Sequence, residues 1–167
     1  MTEVLIGDST VTPGGLYTYN YHFINRAICL ETGVVKSLHY YAGRSGYGKI
    51  NIYDGDSNIG ENLLWANNAS QAFTEGQWHN FPTEDIFVIK NNYYWIGAIA
   101  SGPVGIRWIS GHSDFTGLVL RKSYDYDTYE AVNPLGGSYA SAGTAPICCY
   151  ATGDILSYSN PLLLCTI

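Results

Sequence analysis

Apolar side chains recur at every second residue over much of the chain, and the densest such run lies between Asn91 and Trp108. Tyr94, Ile96, Ala98 and Ala100 fall on one face of an extended chain, and Tyr93, Trp95, Gly97 and Ile99 on the other, so both faces are largely apolar. The pattern predicts a central strand covered on both sides. The Ser101-Gly102-Pro103 turn leads straight into Val104 to Ile109 with no room for a crossover helix, which predicts antiparallel pairing with that second run.

The remaining elements follow the same alternation. A short strand is expected at Val4 to Ile6 and a long one from Tyr21 to Glu31, with Phe23, Asn25, Ala27 and Cys29 on one face and Ile24, Arg26, Ile28 and Leu30 on the other. Thr32-Gly33 breaks it, and Val34 to Ala42 reads as its hairpin partner. Tyr47 to Asp54 alternates Ile50 and Ile52 with Lys49, Asn51 and Tyr53, the pattern of a half-buried strand. Short strands are further predicted at Ser70 to Thr74, Trp78 to Phe81, Ile86 to Ile89, Leu118 to Arg121 and Ile147 to Ala151, with an apolar stretch at Asn62 to Ala66. No window sustains a helical period. The fold class expected is all-β, an antiparallel two-sheet β-sandwich. Tyr124 to Gly143 carries weak strand signal, and loops of that length in compact domains are usually functional or mobile, so a site is sought there first.

Composition sharpens this picture. With 15 Tyr and 19 Gly but only 13% charged residues, strands and turns are favoured over helices, and 46% hydrophobic content fills one core. We expect one sandwich over residues 1–153 and an apolar tail over 154–167. A net charge of -6 with no basic cluster beyond Arg121-Lys122 argues against nucleic acid. No run approaches the length of a membrane-spanning helix, so no membrane partner is expected, and the first residues do not resemble a secretory signal. Cys29, Cys148, Cys149 and Cys165 lack metal-site spacing; buried free thiols are expected, with a Cys29–Cys148 disulfide as the alternative.

Five stretches carry a resemblance: RAICLETGVVKSL (Arg26–Leu38), GKINIYD (Gly48–Asp54), GENLLWA (Gly60–Ala66), GQWHNFP (Gly76–Pro82) and NYYWIG (Asn92–Gly97). In this order they resemble a family of jelly-roll β-sandwich modules, carbohydrate-binding-module-like, found in extracellular and surface proteins and in some viral structural proteins. The resemblance spans roughly Arg26 to Ala151 and rests on scaffold motifs. It implies a jelly roll, a non-catalytic role often directed at carbohydrate, and an extracellular or virion-surface location.

Candidate chemistry is sparse. Gly43-Arg44-Ser45-Gly46-Tyr47 lacks the second Gly of a nucleophile elbow, and His112-Ser113-Asp114 are too close in sequence to align as a triad, so no catalytic residues and no enzyme activity are expected. Asp54, Asp56 and Asn58 alternate like the start of a calcium loop but lack its Gly and its bidentate Glu; calcium is the one cofactor worth weighing. Asp125 and Asp127 would share a face if extended, and the four His are scattered one per segment. Aromatic residues are the feature above background. Tyr47, Trp108, Tyr124, Tyr126 and Tyr129, beside turns or in the long loop, are expected to be exposed and to bind a sugar's apolar face or another protein surface. Two functions result: a non-catalytic carbohydrate or surface-binding module, or a virion structural protein, such as a capsid-decoration or fibre-associated subunit. The apolar run Leu162 to Ile167 needs cover, either as an edge strand of its own sandwich or on a neighbouring subunit of a homo-oligomer.

Overall fold

A computed structural model of the chain describes residues 3–9, 16–17, 21–56, 60–101, 106–107, 115–135, 138–141 and 147–156. Among them the alternating runs form strands and no helix: β1 (Glu3–Gly7), β2 (Leu16–Tyr17), β3 (Tyr21–Ile28), β4 (Gly33–Tyr41), β5 (Gly46–Asp54), β6 (Asn62–Phe73), β7 (Trp78–Val88), β8 (Tyr93–Ala100), β9 (Ile106–Arg107), β10 (Phe115–Ser123), β11 (Ala140–Ser141) and β12 (Cys149–Ile155). One sheet has the order β1-β12-β4-β7 and the other β11-β10-β3-β8-β5-β6, with β2 and β9 as a separate pair; every pairing is antiparallel. Numbering β1, β3 to β8 and β12 from one to eight gives the orders 1-8-3-6 and 2-7-4-5, the jelly-roll arrangement of two facing sheets. β10 and β11 extend the second sheet past β3.

The predicted central strand is central. β8 lies between β3 and β5 and is buried on both faces from Tyr94 to Ala100. Its partners differ from expectation: Ile106–Arg107, the described part of the run after Ser101, pairs with Leu16–Tyr17 and not with β8. β3 and β4 are likewise no hairpin, because the chain crosses between sheets there. The backbone groups of the connecting residues are taken by other elements: Cys29 N donates to Asn92 O at 2.9 Å and Cys29 O accepts from Asn91 N at 2.9 Å. Leu30 N donates to Leu5 O at 2.8 Å, and Thr32 O accepts from Leu156 N at 3.0 Å. The short runs expected near Leu63 and Ser70 merge into β6, and those near Trp78 and Ile86 into β7. β7 passes through Pro82, which an edge strand accommodates because one side of its backbone needs no ladder partner. β12 continues through Ile155, two residues past the expected end of the sandwich. Residues 157–167, including Cys165 and the apolar run, lie outside the described residues.

Between the sheets Leu5, Ile6, Phe23, Val35, Leu38, Ile50, Ile52, Phe81, Val88 and Ile96 are almost wholly removed from water. Asn25, also fully buried, is satisfied in the manner of a strand partner: Nδ2 donates to Ile147 O and Oδ1 accepts from Ile147 N, both at 3.0 Å. An unpaired amide there would cost about 1–3 kcal/mol, so this clamp is what makes a polar side chain tolerable between the sheets. Cys29, Cys148 and Cys149 are buried free thiols, as expected from their spacing, and form no disulfide.

Candidate functional site

The Tyr-rich segment after β10 is a strap, described over 124–135 and 138–141, that lies across the outer face of the six-stranded sheet. That face carries His22, Ile24, Lys49, Asn51, Tyr53, Trp95 and Leu120, all buried, so β5 is covered on both sides where its alternation predicted one. Leu135 packs with Ile24, Tyr53, Trp95 and Leu120, and Tyr126 and Tyr129 pack on Ile99. Polar contacts complete the seal. Lys49 Nζ donates to Tyr129 O at 2.8 Å and Tyr126 O at 3.2 Å, its charge 5.0 Å from the Tyr126 ring centre. Asn51 Nδ2 donates to the Tyr129 hydroxyl at 2.8 Å, while Asn51 Oδ1 accepts from His22 Nε2 at 3.2 Å. That leaves His22 Nδ1 as the acceptor for the Tyr139 hydroxyl at 2.7 Å. Burial holds the imidazole neutral, lowering its pKa from 6.5 to about 3 against a smaller upward pull from the Asn51 bond. A Cβ at Gly97 would lie 2.4 Å from both His22 Nε2 and Asn51 Oδ1, so this pair can meet only over a glycine.

Two of the loop aromatics expected to be exposed, Tyr126 and Tyr129, are instead buried. Tyr126 and Tyr129 keep only 5% and 3% of their surface, because Lys49, Asn51 and His22 draw the strap onto the sheet. Tyr124 is half-buried against Tyr129 at 5.1 Å and Lys122 at 4.8 Å. Tyr47 is exposed at 54%, but at the opposite end of β5 from Asp54, roughly 23 Å along the strand. Trp108 lies outside the described residues. Of the five candidates, Tyr124, Tyr126 and Tyr129 pack together on the strap, and Tyr47 is near enough to Tyr126 to act on its hydroxyl.

A cleft of about 340 Å³ opens at the other end of the sandwich, lined by Asp54, Gly55, Asp56, Glu61, Asn62, Leu64, Phe87, Ile89, Asn92, Tyr93 and Tyr94. Its two walls are pinned. On one, Asp54 Oδ1 accepts from Asn62 N at 3.1 Å and Asn62 Nδ2 at 2.8 Å, Glu61 N donates to Asp54 O at 2.8 Å, and Trp95 Nε1 donates to Gly55 O at 3.2 Å. On the other, Asn91 turns the chain at φ 68°, a left-handed conformation that Asn tolerates, and Ile89 N donates to the Tyr94 hydroxyl at 2.9 Å. Phe87 and Ile89 remain 39% and 45% exposed beside these polar groups. Asp54 and Asp56, weighed above as calcium ligands, both line the cleft, but Asp54 spends one oxygen on Asn62, and Asn58 is outside the described residues. Among the described residues no three His, Cys, Asp or Glu side chains are grouped to hold a metal ion. The cleft went unread in the sequence, although one signal was present: in β7 and just beyond it, Ile86 and Val88 point inward, which turns Phe87 and Ile89 outward on an edge strand.

A second feature crosses the outer face of the four-stranded sheet. Tyr41, Trp78, Tyr150 and His39 form a row with ring centres 5.4, 4.7 and 4.4 Å apart in that order, and His39 lies parallel to Tyr150. All four rings are half-buried, and His39 Nε2 is 2.9 Å from Thr152 Oγ1. Comparison with protein-family models and with curated proteins finds no match to this chain.

Proposed function

We propose that this chain is a non-catalytic jelly-roll binding module that takes a carbohydrate in the cleft between the β5–β6 connection and the β7–β8 turn. The observation that carries the reading is the exposure of Phe87 and Ile89 in a concave site whose other walls present the carboxylates of Asp54, Asp56 and Glu61 and the amides of Asn62 and Asn92. A sugar ring needs that combination, an apolar surface for its C–H face and acceptors and donors for its hydroxyls. The volume suits one or two sugar residues, and the hydrogen bonds that hold Asp54, Gly55, Asn62 and Tyr94 lower the ordering cost of binding at those residues. The proposed surface replaces the loop aromatics of the sequence reading, while the jelly-roll resemblance and its usual role support the ligand class.

Titration of the protein with an oligosaccharide panel tests this. Phe87→Ala is expected to weaken binding of the best ligand about 3- to 10-fold, on the order of the 0.5–1.5 kcal/mol an aromatic contact contributes, with little change in melting temperature. Unaltered affinity in both Phe87→Ala and Asn92→Ala would remove the cleft as the site.

A second reading is favoured by the Tyr41–Trp78–Tyr150–His39 row. Half-buried rings across three strands suit contact with another chain, as in a virion structural subunit, and a homo-oligomer built on this face would lose its mass in light scattering on Trp78→Ala.

A further inference from the structure

Among the residues lining the cleft, Asp54, Asp56 and Glu61 are acidic and none is Lys, Arg or His. The carboxylates of Asp56 and Glu61 accept no hydrogen bond from any described residue, and Asp54 commits one oxygen to Asn62. Two described cations border this end of the molecule without entering the lining. Lys90, on the β7–β8 turn, is bound to Glu31 at 2.9 Å, and the Arg26 guanidinium lies 4.7 Å from the centre of the Tyr93 ring and 5.8 Å from that of Trp95. The apolar wall of Leu64, Phe87 and Ile89 thus faces carboxylates with no positive charge in the lining to balance them. A neutral sugar would satisfy the amides and the rings and leave that charge unanswered.

We infer that the cleft selects sugars bearing a free, protonated amine, hexosamine residues of a deacetylated glycan, over their acetylated, neutral or acidic counterparts. This rests on the carbohydrate reading of the cleft and adds the charge of the ligand. The ammonium group meets the Asp56 and Glu61 carboxylates while the pyranose face lies on Phe87. Acetylation removes the charge, and a uronic acid reverses the sign of the contact. Attraction between charges at an open cleft is screened by salt, so the preference is salt-dependent.

Calorimetric titration of the full chain at pH 6 with a glucosamine tetrasaccharide, its fully N-acetylated form and a glucose tetrasaccharide, at 50 and 300 mM salt, decides the matter. The amine form is expected to bind at least 10-fold more tightly at low salt, with the advantage shrinking at high salt. Asp56→Asn with Glu61→Gln is expected to erase the preference without lowering the melting temperature, whereas Asp125→Asn with Asp127→Asn, exposed carboxylates on the strap, leaves it intact. Equal affinity for the three sugars, still weakened by Phe87→Ala, overturns the amine preference and leaves the carbohydrate reading standing. Amine binding reduced equally by both double variants also overturns it, since the net charge of the protein would then be responsible. Binding of none of the sugars removes both readings, as does capture of a lysine-rich peptide alone.

Discussion

Tyr40 and His22 show how single polar groups set the stability of the sandwich. The Tyr40 hydroxyl is buried between the sheets with no hydrogen-bond partner among the described residues, and burial pushes its pKa up. Removing an unsatisfied buried hydroxyl relieves a desolvation cost of roughly 1–3 kcal/mol, so Tyr40→Phe is expected to raise the urea midpoint. His22 acts in the opposite sense. Its imidazole binds a proton at about 3 in the folded protein against 6.5 when unburied, so between these values the unfolded chain holds more protons. His22 therefore costs nothing above pH 6.5, and its penalty grows by up to about 1.4 kcal/mol per pH unit as pH falls toward 3. Urea midpoints measured from pH 7 to pH 4 are expected to fall less steeply in His22→Gln than in the parent; parallel slopes would show that the ring is solvated.

The strap is the element whose behaviour depends most on polar contacts. Lys49 is 6% exposed, and its partners are two strap carbonyls and the Tyr126 ring. Lys49→Ala leaves both carbonyls under a packed segment without a donor, so the strap is expected to loosen while the sandwich beneath it holds. Hydrogen exchange is expected to accelerate at the amides of Tyr129 and Ala131 and to stay slow at Ile96 and Ala98 in β8; uniform acceleration would mean that strap and sandwich unfold as one unit. The same element marks where sequence reading stopped. Period-two alternation revealed β3, β4, β5 and β8, because apolar side chains must share a face. It left the strap as loop, since Tyr126, Tyr129 and Tyr139 dock through carbonyls and hydroxyls that leave no periodic trace.

At the scale of the molecule, the all-β sandwich was legible and the pairing only in part. Alternation fixes which side chains face a common core, but Val34 to Ala42 reads the same whether it pairs with its neighbour in sequence or crosses to the opposite sheet. The candidate cleft was less legible still, for its described walls come from separate places in the chain, Asp54 to Asp56 with Glu61, Asn62 and Leu64, then Phe87 and Ile89, then Asn92 to Tyr94, joined only by the jelly-roll order. That order sets the two connections side by side, while the strap closes the broad outer face of the six-stranded sheet that loop aromatics would have served. The central claim is thus one of location. Amide chemical-shift mapping of the full chain during titration with the tightest-binding oligosaccharide tests it most directly. Perturbations are predicted at Gly55, Asp56, Glu61, Phe87, Ile89 and Asn92, with the strap and the Tyr41–Trp78–Tyr150 row unmoved; perturbations concentrated on the strap or on that row, with the cleft silent, would contradict it.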